Sequence, residues 1–307
     1  MPIIKKDDVR PERPVILVLY GQPGSGKTSI ATTANNPVII DCDRGSDRAV
    51  QIIDTLVANK WTEIMESVAD LSAYKTVVVD TAKAALDDFL SQYVCDLNYK
   101  LKTNSLKRFG QMADEFKDFV GKIQSFGSDI IFICHDKETS EGDIIKHGPD
   151  CTGSSKDLLL RKADQVGYVS LVNGKRFISF EPKDNFVGKN VAQIADKQIP
   201  EYGTPEFASF MADIIDKVKS SIHSRTEAQR KANALLEELR AELDKVSDDK
   251  TADELMKKCV ELPQVMKQPF FMEIKENLSS KGFTYAEGKF TKPAEGKAAK
   301  TKKNNEK

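Results

Sequence analysis

From Pro14 to about residue 182, short apolar runs alternate with amphipathic stretches. The runs at residues 15–20, 38–40, 76–79 and 130–134 are rich in β-branched residues and nearly free of charge. That pattern predicts strands covered on both faces by helices. Between them Leu86, Phe89, Leu90, Tyr93, Val94 and Leu97 recur at three- and four-residue steps, as do Met112, Phe116, Phe119, Val120 and Ile123. Each stretch therefore presents one apolar helical face. Strand, crossover helix and parallel strand in repetition predict an α/β domain over residues 14–205 with a mostly parallel sheet. Asn173-Gly174 between two strand-like runs predicts a two-residue hairpin and hence an antiparallel edge.

After Glu181 the pattern changes to a loop rich in Lys, Asn and Gly. Phe207, Phe210, Met211, Ile214, Ile215, Val218 and Ile222 then mark a helix expected to pack on the α/β core. Ala232, Leu236, Leu239, Leu243 and Val246 form a seam too short for a coiled coil, which predicts a helical hairpin. Thr251 and Glu254 read as a capping box, Pro263 as a break, and a last helix should end near Asn277. The expected organisation is an N-terminal arm (1–13), the α/β domain (14–205), a helical region (206–286) and a disordered tail (287–307). The tail holds seven Lys against three Glu, a net of +4, with no apolar period. Residues 136–156, with Gly142, Gly148, Pro149 and Gly153, are too long and polar for an ordinary connection and predict a functional loop.

Composition narrows the classes. Of 307 residues 40% are hydrophobic and 30% charged, enough for a real core and against wholesale disorder. With 46 basic and 47 acidic side chains the net charge is −1, so nucleic acid could be held only by local patches. Five scattered cysteines without a close pair argue against a disulfide framework or zinc knuckle and fit a reducing cytosol. The apolar runs fall well short of the roughly 20 residues that span a bilayer. The expectation is a cytoplasmic protein without a membrane partner.

The strongest chemical signal is Gly21-Gln22-Pro23-Gly24-Ser25-Gly26-Lys27-Thr28, which fits G-x-x-x-x-G-K-[ST] between a buried strand and a helix starting near Lys27. Such a loop turns backbone N–H groups around a β-phosphate, Lys27 reaches the β- and γ-phosphates, and Thr28 offers a hydroxyl to Mg²⁺. Together with Ser29 these residues form the candidate ATP site. Asp80 ends the third strand at the sheet edge where such folds bind ligands, and is the candidate Mg²⁺ partner beside Thr28. Thr81 follows Asp80, so the group that orients attacking water must come from elsewhere. Asp43 is the candidate, with Asp41 and Asp47 as rivals and a turn-stabilising role as the plain alternative. His135, at the end of the fourth strand, reads either as a γ-phosphate sensor or as a local hydrogen-bonding residue. His147 and His223 have no evident metal-ligand company and receive no role.

This order of motifs resembles the RecA-type P-loop ATPase core. Residues 21–28 match its phosphate loop, Ile40-Asp41-Cys42-Asp43 the segment bearing its catalytic acid, and Val77-Val78-Val79-Asp80 its Mg²⁺ strand. His135 takes the place of its sensor, at the root of a DNA-binding loop. Arg108-Phe109-Gly110, a helix, and then Ile131-Phe132-Ile133-Cys134-His135-Asp136-Lys137-Glu138 resemble the phage nucleotide-binding proteins of the Sak group, which are associated with single-strand annealing. The resemblance covers residues 12–190. It implies a RecA-like fold, ATP and Mg²⁺ as cofactors, and hydrolysis with Lys27, Asp43 and His135 as catalytic residues. It also implies single-stranded DNA as a partner, a ring or filament of identical subunits, and a place among replication or recombination proteins in the cytoplasm of a bacterial host. Asp43 is one methylene shorter than the family's usual Glu, so either the water is held differently or hydrolysis is slow without DNA or a partner. Asn185 stands where the family places an Arg that reaches a neighbouring subunit, leaving Lys183 and Lys189 as candidate trans contacts.

Tyr99, Lys100, Lys102, Lys107, Arg108 and Phe109 interleave basic and aromatic side chains, chemistry suited to stacked, single-stranded DNA. The same spacing also arises on a solvated helix end. Lys137 and Lys146 add positive charge to the 136–156 segment. Two other readings stay open: a nucleotide-dependent protein-interaction module, and a small-molecule P-loop kinase, against which the scarcity of Arg in residues 136–165 weighs.

Overall fold

In the computed structural model the apolar runs form strands β1 (Ile16–Gly21), β2 (Pro37–Asp41), β3 (Thr55–Val57), β4 (Thr76–Asp80) and β5 (Asp129–Glu141). Next come β6 (Ile144–Pro149), β7 (Gln165–Val172), β8 (Lys175–Ser179), β9 (Lys189–Asn190) and β10 (Lys197–Gln198). The structure describes residues 3, 5, 8–142, 144–224, 227–286 and 288–292. Its contacts divide the chain into two units, Glu12–Ile222 and a second made of Met1–Pro11 with His223–Lys307.

The larger unit holds one sheet in the order β10-β8-β7-β1-β5-β4-β2-β3, with β6 pairing β5 and β9 pairing β7. Strands β7, β1, β5, β4, β2 and β3 are mutually parallel, whereas β8 and β9 pair antiparallel with β7, and β10 pairs antiparallel with β8. Alternation along β1 explains its uninterrupted apolar sequence. Ile16, Val18 and Tyr20 enter the core on one face of the sheet, and Leu17 and Leu19 enter the core on the other.

Helices cover both faces. On the first lie α2 (Trp61–Glu66), a π-helical turn at Ala84–Leu90, α3 (Ser91–Leu97), α4 (Ser105–Ser125) and α5 (Gly153–Lys162), packed through Trp61, Phe116 and Phe119. On the second lie α1 (Lys27–Ala31), the short α6 (Pro205–Ala208) and α7 (Phe210–His223), packed through Ile30, Phe210, Met211 and Ile214. The architecture is the expected α/β class, mostly parallel with an antiparallel hairpin edge at Asn173-Gly174, followed by a helical C-terminal region. Helix α7 buries its apolar stripe on the sheet, so the larger unit runs to Ile222 and not to residue 205.

The smaller unit contains α8 (Glu227–Lys245), α9 (Asp249–Cys259), α10 (Gln264–Ser280) and a hairpin of β11 (Thr284–Ala286) and β12 (Lys289–Thr291). Two expectations change here. Asp248, not Thr251, caps α9: its carboxylate accepts from Thr251 N at 2.8 Å, with Thr251 in the reciprocal place. Order also extends past Gly288, because Phe290 is fully buried with Phe271 and Tyr285 around it. The Lys-rich remainder, residues 293–307, lies outside the described residues. Residues of the N-terminal arm belong to this unit: Val9 packs on its core, and Arg10 N donates to Gln229 Oε1 at 2.7 Å.

Among the described residues, no helix is long and apolar enough to cross a membrane.

Candidate nucleotide site

Register brings the candidate residues to one edge of the sheet. Gly21 lies beside His135 on one side and Val169 on the other, while Asp80 is level with Asp41 and Ile133. All stand at the carboxyl ends of parallel strands, where the backbone turns away and leaves a crevice.

The phosphate loop is shaped by close approach and by turn geometry. A Cβ on Gly21 would lie 2.2 Å from Val169 O, so β7 can pack against the loop only if residue 21 has no side chain. Gly26 has φ of 92°, which an L side chain rarely adopts. Gln22, Pro23 and Gly24 are exposed at the loop's tip and Ser25 is buried beneath it. The Lys27 ammonium is buried, donating to Gly21 O and Gln22 O at 2.9 Å each. Burial lowers its pKa, opposed by the charge of Asp80. Ser29 faces another way, its hydroxyl accepting from Val50 N at 3.3 Å.

Thr28 Oγ1 donates to Asp80 Oδ2 at 2.6 Å. Burial is the main reason that the Asp80 carboxyl is pushed up to about 6, with Asp43 and Asp41 adding to it and the Thr28 hydrogen bond opposing it. A buried carboxylate in contact with a hydroxyl and near two further acids is a hard-oxygen donor set short of positive charge, as a Mg²⁺ site requires. The residues therefore fit a nucleotide phosphate chain with its magnesium. The Asp80–Thr81 peptide is cis.

The acids after β2 separate by role. Asp41 is buried and accepts from Gly45 N, Ser46 N and Ser46 Oγ at 3.1, 3.0 and 2.6 Å. Burial alone would raise its pKa, but these bonds outweigh it and hold the carboxyl below its ordinary value. Asp41 is thus the turn-stabilising residue. Asp47 is exposed and meets Arg48 at 3.9 Å. Asp43 remains at the crevice, 4.0 Å from His135 Nε2. The His135 imidazole is held below its usual pKa by burial first and by Lys27 second. It is therefore mostly neutral at pH 7, and among the described residues its buried Nδ1 has no hydrogen-bond partner.

The expected loop after His135 is instead a ribbon. Strand β5 leaves the parallel sheet at His135 and continues from Asp136 as an antiparallel pair with β6. Pairing puts Lys137 and Lys146 on one face, and Asp136, Glu138 and His147 on the other. His147 Nδ1 bonds Asp136 Oδ2 at 2.6 Å and its ring stacks on Tyr168 at 5.2 Å, so the second face anchors the ribbon. Donor atoms of these three residues lie within 4.8 Å of one another, company that the chain's linear order does not show. The ribbon's root is also tied to the segment following Asp80. Lys83 pairs with Asp150 at 2.7 Å, and Asp87 accepts from Thr152 N and Oγ1 at 2.7 and 2.8 Å.

The remaining candidates are more dispersed. Tyr99, Lys100, Lys102 and Lys107 are exposed around the start of α4, with the Lys102 ammonium 4.8 Å from the Tyr99 ring. Arg108 lies over the half-buried Phe109, which packs on the core. Lys183 pairs with Asp196 at 2.8 Å at the surface. Lys189 instead donates to Ala163 O and Leu160 O at the end of α5, an internal cap. One cation that the sequence motifs do not single out is Arg176 on β8, whose side chain packs against Gly26. Only the hairpin's antiparallel return brings it there.

A match to the AAA domain family covers residues 13–191. The chain belongs to that family. A loop of this composition on an AAA domain makes it a nucleotide-binding protein of ATPase type. One solved structure similar to this AAA-domain chain is that of the RadB recombinase. It is 15% identical, has a TM-score of 0.33, and the match covers 56% of this chain and 85% of that one. Among proteins of curated function, none matches the chain.

Proposed function

We propose that the chain is a Mg²⁺-dependent ATPase that acts on single-stranded DNA in phage-type recombination, annealing or replication. The observation that carries the reading is the continuity of the candidate site with a paired ribbon, one face of which bears Lys137 and Lys146. His135, beside Gly21 and Asp43, is the last residue of β5 paired in the parallel sheet, and the same strand bears Lys137 two residues on.

In this reading the loop N–H groups and Lys27 bind the phosphates, and Thr28 with Asp80 would hold Mg²⁺, which neutralises charge on the phosphate oxygens. Asp43 orients the attacking water and takes its proton, a role that contributes about 10²–10⁴-fold in rate. Neutral His135 hydrogen-bonds the γ-phosphate region and passes its presence to the ribbon. The exposed cluster from Tyr99 to Lys107, with Arg108, neutralises and stacks the strand. Identical subunits in a ring or filament would meet near Lys183, whose pairing with Asp196 is exposed and exchangeable. Lys189 is a weaker trans candidate because its ammonium already caps α5.

The test is ATP turnover by the full chain with and without single-stranded DNA. The reading expects slow basal hydrolysis that DNA accelerates, and loss of both in Lys27→Ala. Turnover that is indifferent to DNA, together with no DNA binding, overturns the DNA half. A second reading, a nucleotide-timed docking module, is favoured by the exposed apolar side chains of Leu97, Tyr99 and Leu106 in the same segment.

A further inference from the structure

Arg176 lies on β8, opposite Leu171 of β7. Its main chain is held from both sides: β7 pairs with it across the hairpin, and Ile199 N donates to its carbonyl at 2.8 Å. Strand β7 is in turn pressed against the start of the phosphate loop, where Val169 O occupies the space of a Gly21 side chain. Hairpin and loop are therefore fixed relative to each other. Across this junction the Arg176 side chain reaches the far end of the loop, with Cδ and Nε each 3.5 Å from where a Cβ on Gly26 would stand.

Among the described residues, the guanidinium has no hydrogen bond, ion pair or aromatic partner. The loop's other cation is Lys27. A second, unpaired positive charge laid on the same loop is repelled by the first unless an anion comes to lie between them. Guanidinium is the side-chain group best matched to phosphate, through two parallel N–H donors.

We propose that Arg176 is a phosphate-contacting residue of the nucleotide site, supplied by the same chain. This inference rests on the nucleotide-binding reading above. It assigns to the β7–β8 hairpin part of the cationic work otherwise expected of a neighbouring subunit, at a site where Asn185 provides no charge. Gly26 is required for its backbone conformation, and a Cβ there would meet the Arg176 side chain only at ordinary van der Waals distance.

The experiment is calorimetric titration of the full chain with Mg·ATP and, separately, with inorganic tripolyphosphate and Mg²⁺. Wild type is compared with Arg176→Gln and Arg176→Lys. Loss of a charged hydrogen-bonding group should raise Kd for both ligands by about 10- to 100-fold in Arg176→Gln. Arg176→Lys, which keeps the charge and loses the fork, should fall between the two. Melting temperatures should stay together, because the side chain is exposed. KM for ATP should rise more than kcat falls, as a ground-state phosphate contact requires. If wild type binds neither ligand, the nucleotide-binding reading itself fails. If wild type binds and Arg176→Gln binds equally well, only the arginine contact is overturned. Weakened binding of ATP with unchanged binding of tripolyphosphate also overturns it, since the contact would then be to the nucleoside.

Discussion

His135 Nε2 stands 4.0 Å from Asp43 Oδ2, although β4 lies between their strands in the sheet. The two side chains meet beyond the carboxyl end of β2 and where the parallel pairing of β5 ends, on the same edge as Thr28 and Asp80. Asp80 is bound to a loop hydroxyl at 2.6 Å, whereas Asp43 is more exposed and belongs to a turn built by its neighbour Asp41.

Asp80 and Asp43 should accordingly fail in different ways. Asp80→Asn should weaken Mg²⁺-dependent nucleotide binding, because the buried donor next to Thr28 loses its charge. Asp43→Asn should bind Mg·ATP with little change yet lose turnover by about 10² or more, as expected of a general base. Equilibrium binding and steady-state hydrolysis, measured on both variants, check this. Equal loss of binding in the two would remove the division of labour.

Asp41 should matter for stability and only indirectly for chemistry. Its three hydrogen bonds are made by the carboxylate, so the fold holds its pKa below the ordinary value of 3.8. The contribution is fully present above that ordinary value and is lost as pH falls through the lower, folded one. Asp41→Ala should therefore cost about 1–3 kcal/mol near neutrality. The gap to wild type should narrow in acid below pH 4, which denaturant titrations at pH 7 and pH 3 can follow. A gap that widens in acid would refute the sign.

The central strands β1, β2, β4 and the first part of β5 are legible in the sequence because each is buried on both faces and so carries no polar interruption. The hairpin at Asn173-Gly174 is legible for a different reason, since that dipeptide suits its tight turn. The ribbon after His135 is not, because its strands are polar and are held by cross-strand pairing and by aromatic contacts from Tyr168, far along the chain. The short strands β3, β9 and β10 are silent too, having two or three residues each and only edge hydrogen bonds. Within the site, the loop, Thr28 and Asp80 follow from a local pattern, and register alone brings Asp43 to His135 and Arg176 to Gly26.

Gly21 and Gly24 should tolerate alanine very differently. A methyl group on Gly21 would meet Val169 O at 2.2 Å, a backbone atom that can move only with β7. Among the described residues nothing lies within 4 Å of the same position on Gly24, where the strain is confined to a φ of 77°. Gly21→Ala should cost about 1–3 kcal/mol or more, and Gly24→Ala about 1 kcal/mol. Urea denaturation without nucleotide checks the order. Equal costs would show that β7 does not constrain the loop.

DNA binding should be local and salt-sensitive. Reversing Lys100, Lys102, Lys107 and Arg108 to Glu should abolish single-strand binding while Mg·ATP binding survives, because a chain of net charge −1 has no general attraction for DNA. Lys137→Glu should weaken binding less, through one ribbon cation. Wild-type affinity should fall with salt at a logarithmic slope of about −0.7 per neutralised phosphate. A flat salt response, or full binding by the reversed chain, would favour the docking-module reading.

Where the chain is cut decides whether its basic C-terminus can be tested separately from its fold. A chain ending at Gly288 loses β12 and with it Phe290, which is 1% exposed and 4.7 Å from the Tyr285 ring centroid. Removing such an aromatic group costs about 3–5 kcal/mol, so that truncation should lower the stability of the smaller unit. A chain ending at Lys292 keeps Phe290, and also keeps the 2.7 Å bond from Lys292 N to Asp249 Oδ1 at the start of α9. It nevertheless removes five lysines, at positions 297, 300, 302, 303 and 307. The longer chain should melt like wild type and retain DNA binding through the Lys100–Arg108 region, while the shorter one melts earlier. If the chain ending at Lys292 melts normally but no longer binds single strands, the basic terminus is the binding element and the ribbon and α4 cluster are not.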